Sequence, residues 1–261
     1  MEASIQTLLS RLVTGPTFLL LGQKLDESGD VRSGRTAAVP AVAEPQGDLT
    51  ANYERLDREL RAEPVPAWLS EIAQYPWNGV FTSRIDSLLP DVFSCDWRRV
   101  VPTAQAQLGR HPRSATELQL RYLFGGLGLP EDERPPADMI QEAETRARVA
   151  ETLNTLADTL ITPRGAVVIE GYDLDDWLTP QELFTFVTRL QAGQAHLFSA
   201  WDALREDPFV RAAIDRGVLS AQTHLARCFP SLRRLAASSG LRPGGAWAAS
   251  DLYRSATPSP R

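Results

Sequence analysis

Residues 77–89 read Trp77-Asn78-Gly79-Val80-Phe81-Thr82-Ser83-Arg84-Ile85-Asp86-Ser87-Leu88-Leu89. A short apolar run, Val80-Phe81, ends in two hydroxyl residues and passes into a helix-like Ile-x-x-Leu-Leu pattern. That order predicts a strand feeding a helix through a tight turn, the place where an open α/β sheet holds its ligand. Ser83 is placed to cap the new helix, and Asp86, three residues on, to favour its positive end.

On the N-terminal side, Ile5, Leu8, Leu9, Leu12 and Val13 recur at helical spacing and predict a helix over 3–14. Gly15-Pro16 stops it, and Thr17-Phe18-Leu19-Leu20-Leu21 then reads as a strand buried on both faces, ending at Gly22. On the C-terminal side, strands are expected at Val100-Val101, at 118–124, at Ala166-Val167-Val168-Ile169, at Ala195-His196-Leu197-Phe198 and at Val218-Leu219. Between them lie helical patterns over 49–62 and 68–72. A long pattern follows Pro135-Pro136 to about Ile161, with Met139, Ala143, Ala147, Ala150, Leu153, Ala157 and Leu160 on its apolar face. Thr179 as N-cap and Pro180 at N1 start another helix, and two more are expected over 207–215 and 223–237. Strands alternating with helices predict an α/β fold, a Rossmann-like parallel sheet flanked by helices. One domain over 1–238 would carry a mobile loop at 27–48 and a helical insert at 49–76, with 239–261 as a flexible tail or linker.

Length and composition allow one large domain: 261 residues, 43% hydrophobic and 23% charged, as in an ordinary globular chain. A net charge of −6 offers no footprint for nucleic acid, which is expected only indirectly, through partners. No apolar run approaches the roughly 20 residues that span a bilayer, so the expected location is cytoplasmic and away from membranes. Cys95 and Cys228 match no disulfide or metal spacing and are expected as buried thiols. His224 and Cys228, four apart, are too few for a metal site, and none is expected.

Four strand ends carry the remaining signal. They are Gly22-Gln23-Lys24-Leu25-Asp26, Thr82-Ser83-Arg84-Ile85-Asp86, Leu123-Phe124-Gly125-Gly126 and Gly171-Tyr172-Asp173-Leu174-Asp175-Asp176. In this order, over roughly residues 5–235, they resemble the motifs of SIR2-like (sirtuin-type) domains of prokaryotic antiphage defence proteins. That family has Gly-Ala-Gly-x-Ser, Thr-Thr-Asn-Tyr-Asp, Leu-His-Gly-Asp and Gly-Tyr-Ser-x-x-Asp at these places. The resemblance implies a SIR2-like or DHS-like architecture that binds NAD and cleaves its nicotinamide–ribose bond. It assigns cofactor contacts to Gly22, Thr82, Ser83, Asp86, Gly125, Gly171, Tyr172 and Asp176 (or Asp175). The family's catalytic Asn and His are replaced by Arg84 and Phe124, and Asp173 stands for its Ser.

Those replacements bear on the chemistry. Glycosidic cleavage builds positive charge on the ribose and needs an oriented, deprotonated nucleophile. Arg84 would add a permanent positive charge beside it, and Phe124 cannot relay a proton. Gln23, Lys24 and Asp26 would crowd or repel the phosphates. The expectation is a catalytically inactive, structural or regulatory subunit of a defence complex, contacting other subunits or copies of itself. Trp68, Trp77, Trp177, Trp201 and Trp247 are candidates for such contacts, with core burial as the alternative. No cofactor is required by this reading. One alternative is an NAD or ADP-ribose sensor without turnover, with Arg84 or Lys24 on the phosphates and 171–176 on the ribose. Another is an NAD hydrolase with relocated residues, such as His111 as base.

Overall fold

A computed structural model describes residues 8, 11, 15–23, 49–62, 65, 67–75, 77–96, 98–105, 116–136, 143–160, 165–199, 202–222 and 225. Seven strands form one parallel sheet: β1 (Thr17–Leu21), β2 (Gly79–Thr82), β3 (Arg99–Thr103), β4 (Glu117–Tyr122), β5 (Ala166–Glu170), β6 (Ala195–Phe198) and β7 (Leu219–Gln222). Their spatial order is β3-β4-β2-β1-β5-β6-β7, and every pairing is parallel. The chain is therefore an α/β protein with an open, Rossmann-like sheet flanked by helices. From β1 the chain moves to β2 on one side, and only with β5 does it cross to the other. That divergence puts the topological switch point at the C-terminal ends of β1 and β5.

The helices are α1 (Leu49–Arg61), α2 (Ala67–Ile72), α3 (Leu88–Phe93), α4 (Ala143–Thr159), α5 (Pro180–Val187), α6 (Asp202–Glu206) and α7 (Pro208–Asp215). Because alternate strand residues face opposite ways, the central strands feed two apolar layers. Phe18, Leu20, Phe81, Val167, Ile169 and Leu197 meet α1, α4, α5 and α7 on one face. Leu19, Leu21, Val80, Val168 and Phe198 meet α2 and α3 on the other. The two helices expected as an insert are thus divided between the layers: Tyr53 and Leu56 of α1 lie in one, Trp68, Leu69 and Ile72 of α2 in the other.

Several local expectations are corrected. The helix after β2 starts at Leu88, not at Ser83, and Ile85 lies in the turn before it. Ser83 does not cap it. The Ser87 N–H is taken instead by the Asp57 carboxylate of α1 (2.8 Å), which also accepts the Ser87 hydroxyl (2.7 Å). Asp86 does serve the helix start, accepting from Leu88 N (3.0 Å). On α4 the alanines at 143, 147 and 150 are exposed; the buried line is Thr145, Val149, Thr152, Leu153, Leu156 and Ala157. Thr152 can turn inward because its hydroxyl donates to Arg148 O one turn back (2.8 Å). β4 ends at Tyr122, leaving Leu123 and Phe124 in the following turn, and the last strand runs from Leu219 instead of Val218. Trp68, Trp77 and Trp177 are core residues, so they offer no contact surface. Cys95 is only half-buried, bridged to Arg98. The expected loop at 27–48, the tail, and Lys24, Asp26, His111, Trp201, His224, Cys228 and Trp247 lie outside the described residues, as does most of each of the helices over 3–14 and 223–237.

Thr179 fulfils its expectation. Its side chain accepts from Glu182 N (3.3 Å), and Glu182 reaches back to Thr179 N (2.8 Å), a reciprocal capping box ahead of Pro180. Thr179→Ala is expected to cost about 1 kcal/mol, a fall in melting temperature of roughly 2–4 °C by calorimetry. No helix of the described residues is long and apolar enough to cross a membrane.

Candidate functional site

The C-terminal ends of β1, β2 and β5 converge on a small polar cluster. Gly22 follows β1, and its N–H donates to Glu170 O at the end of β5 (2.8 Å). A Cβ on Gly22 would lie 2.2 Å from Gly171 O and 2.6 Å from Tyr172 Cα. The glycine is needed because two backbones touch there, and Gly171 turns away through a positive φ of 71°.

Gln23 is the hub. Its N–H donates to Asp176 Oδ2 (2.8 Å), and its carbonyl accepts from Arg84 Nη1 (2.8 Å). The same Asp176 oxygen accepts the Ser83 hydroxyl (2.9 Å), and Oδ1 accepts Leu178 N (3.0 Å). One carboxylate from the β5 loop therefore ties down the loops after β1 and β2. Three donors favour its charged form, but burial outweighs them and pushes its pKa up to about 7. Asp173, on the same turn, is buried and accepts from Asp175 N (3.0 Å).

Arg84 and Asp86 form a buried ion pair (Nε to Oδ2, 2.6 Å). Arg84 N also donates to Thr82 Oγ1 (3.0 Å), so Thr82 shapes the turn from within. The Asp86 carbonyl accepts the Tyr122 hydroxyl (2.8 Å), which joins this turn to β4. The positive charge read in the sequence as facing a reacting centre is thus neutralised two residues away.

Phe124 is wholly buried. It meets Trp177 edge-on (centroids 5.6 Å apart), with the Arg146 guanidinium 5.2 Å from its ring centroid. Gly125, at φ 90°, packs against the backbone of Arg134 and Pro135. The site residues inferred from the sequence thus divide. Gly22, Ser83, Gly171 and Asp176 come together with Gln23, Arg84 and Asp86, whereas Phe124 and Gly125 serve the neighbouring loop. Tyr172 is buried in the apolar layer, its hydroxyl without a hydrogen-bond partner and its pKa raised by burial.

A dinucleotide pyrophosphate at a switch point needs close approach over a bare glycine and free backbone N–H groups. Here Gly171 fills the space beside Gly22, and Asp176 holds the Gln23 N–H. The described strand ends do not fit such a group as they stand.

Two arrangements escaped the sequence. Asp57, on the polar side of an ordinary amphipathic helix, gave no sign that it would cap a helix 30 residues on. His196 on β6 accepts at Nδ1 from the Ser220 hydroxyl (2.8 Å) and donates from Nε2 to Gly193 O (3.1 Å). The pair has the look of a nucleophile and its base. Burial, with the charge of Arg11, lowers the His196 pKa to about 4, which makes it a poor base and a neutral tie between β6 and β7. No group of three or more potential ligands among the described residues could hold a metal ion. No protein-family model matches the chain, and no curated protein is significantly similar to it.

Proposed function

We propose that this chain is a catalytically inactive α/β domain that serves as a structural or regulatory protein-interaction subunit, descended from a SIR2-like NAD-consuming fold of antiphage defence. The observation that carries the reading is the internal use of the strand-end groups. Asp176 takes the Gln23 N–H and the Ser83 hydroxyl, and Arg84 takes the Gln23 carbonyl while paired with Asp86. Groups that would orient a phosphate or a nucleophile are already bonded to one another. Phe124, where the resembled family has its base, is packed against Trp177 and Arg146 and has no proton to give.

The test is direct. Purified protein incubated with NAD is expected to release no nicotinamide above the buffer rate, followed by liquid chromatography; sustained turnover overturns the reading. A second reading, binding of NAD or ADP-ribose without turnover, draws on the Tyr172 hydroxyl and Gln23 Nε2, buried polar atoms with no hydrogen-bond partner. Calorimetry of the intact protein with both ligands separates the two: saturable heat favours the binder, and no heat with either ligand favours the interaction subunit.

A further inference from the structure

Asp176 is buried where three loops meet, and its bonds reach all of them: Gln23 after β1, Ser83 after β2, and Leu178 on its own turn after β5. Among the described residues no cation pairs with it. The charged groups around it are Asp173 on its own turn and, on the far side of Gln23, the Arg84–Asp86 pair, whose charges cancel. Tyr172, four residues before it, is an uncharged phenol whose pKa burial raises. A carboxylate in this position is pulled two ways: three donors favour the anion, while lost water and the nearby Asp173 favour the acid.

We infer that Asp176 is a proton-dependent clasp on the strand ends: neutral, it holds the loops after β1, β2 and β5 closed, and ionised, it draws them apart toward water. The raised pKa of about 7 puts the exchange between the two forms in the neutral range. The proton belongs to the closed state. Opening therefore becomes easier as pH climbs from the ordinary carboxylate range to about 7, and levels off above it. An opened clasp releases the Gln23 N–H and the Ser83 hydroxyl, two donors for an acceptor on an incoming ligand or partner loop. The inference rests on the reading of these strand ends as a self-closed site.

Amide hydrogen exchange of the intact chain, followed by mass spectrometry from pH 5 to 9 and corrected for intrinsic rates, tests it. Segments 17–23 and 171–178 are expected to lose protection about tenfold per pH unit between pH 5 and 7, then to level. In Asp176→Asn, which keeps a neutral acceptor, the profile is expected to be flat. Wild-type protection that does not change with pH, or an unchanged slope in Asp176→Asn, overturns the clasp. If circular dichroism finds Asp176→Asn unfolded, Ser83→Ala decides. Removing one donor weakens the anion and moves the break to higher pH, and a break that stays in place overturns the clasp. Nicotinamide release from NAD, assayed on the same samples, tests the non-catalytic reading separately.

Discussion

Gly22→Ala is expected to destroy the soluble fold, or to lower its melting temperature by roughly 10 °C or more, a loss beyond about 4 kcal/mol. The three atoms a Cβ would meet, at 2.2, 2.5 and 2.6 Å, all belong to the Gly171-Tyr172 backbone. No rotamer change can relieve that. Relief requires β1 and the β5 loop to part, which breaks the Gly22 N–H bond to Glu170 O and the Gln23–Asp176 bond. Gly217→Ala is the control. Gly217 has a positive φ of 70° but nothing within 4 Å of a new Cβ, so it reports conformational strain alone, about 1 kcal/mol. Similar thermal unfolding of the two variants would refute the close-approach account.

Arg84→Ala is expected to cost 3–5 kcal/mol, about what is lost when one partner of a buried ion pair is removed. Asp86 is 1% exposed and keeps only its bond from Leu88 N, while the Gln23 carbonyl loses its guanidinium donor. Arg84→Met with Asp86→Leu is expected to recover much of the loss, because the orphaned charge goes with its partner. Arg84→Asn, which puts the resembled family's residue at this position, is expected to destabilise like Arg84→Ala and to release no nicotinamide. Urea unfolding of these variants, with the Arg84→Met and Asp86→Leu single variants beside them, makes the comparison. A double variant as unstable as the sum of the singles would show that the two side chains act independently.

The sheet is legible because four of its five inner strands are short, nearly continuous apolar runs that end at glycine, glutamate or hydroxyl residues. β1, β2, β5 and β6 needed nothing beyond local pattern, and Thr179-Pro180 with Glu182 marked a helix start by chemistry that acts within four residues. The face of α4 is not legible because alanines at helical spacing look apolar on either side of a helix: Ala143, Ala147 and Ala150 lie on the solvent side, while Ala157 joins Thr145 and Thr152 on the buried line. The strand-end cluster was only half legible. Its members were named, but not their bonds: Gln23 and Asp176 are 153 residues apart, and Ser83 and Asp176 are 93 apart. The charge of Arg84 looks unmatched in the sequence, yet its partner is Asp86, two residues on.

The place of β1 at the middle of the sheet has a consequence for how the chain is made. Thr17-Phe18-Leu19-Leu20-Leu21 leaves the ribosome well ahead of its partner on one side, Ala166–Glu170, which follows about 150 residues later. At 5–20 residues per second that delay is roughly 8–30 s. Throughout it, a largely apolar strand keeps one unpaired edge, the kind that joins strands of other chains. Pairing with β2 comes sooner, so the nascent half-sheet can shelter one side of β1 but not the other. The interval in which this protein is most vulnerable to aggregation is therefore set by the order of its strands, and it ends only when β5 is delivered.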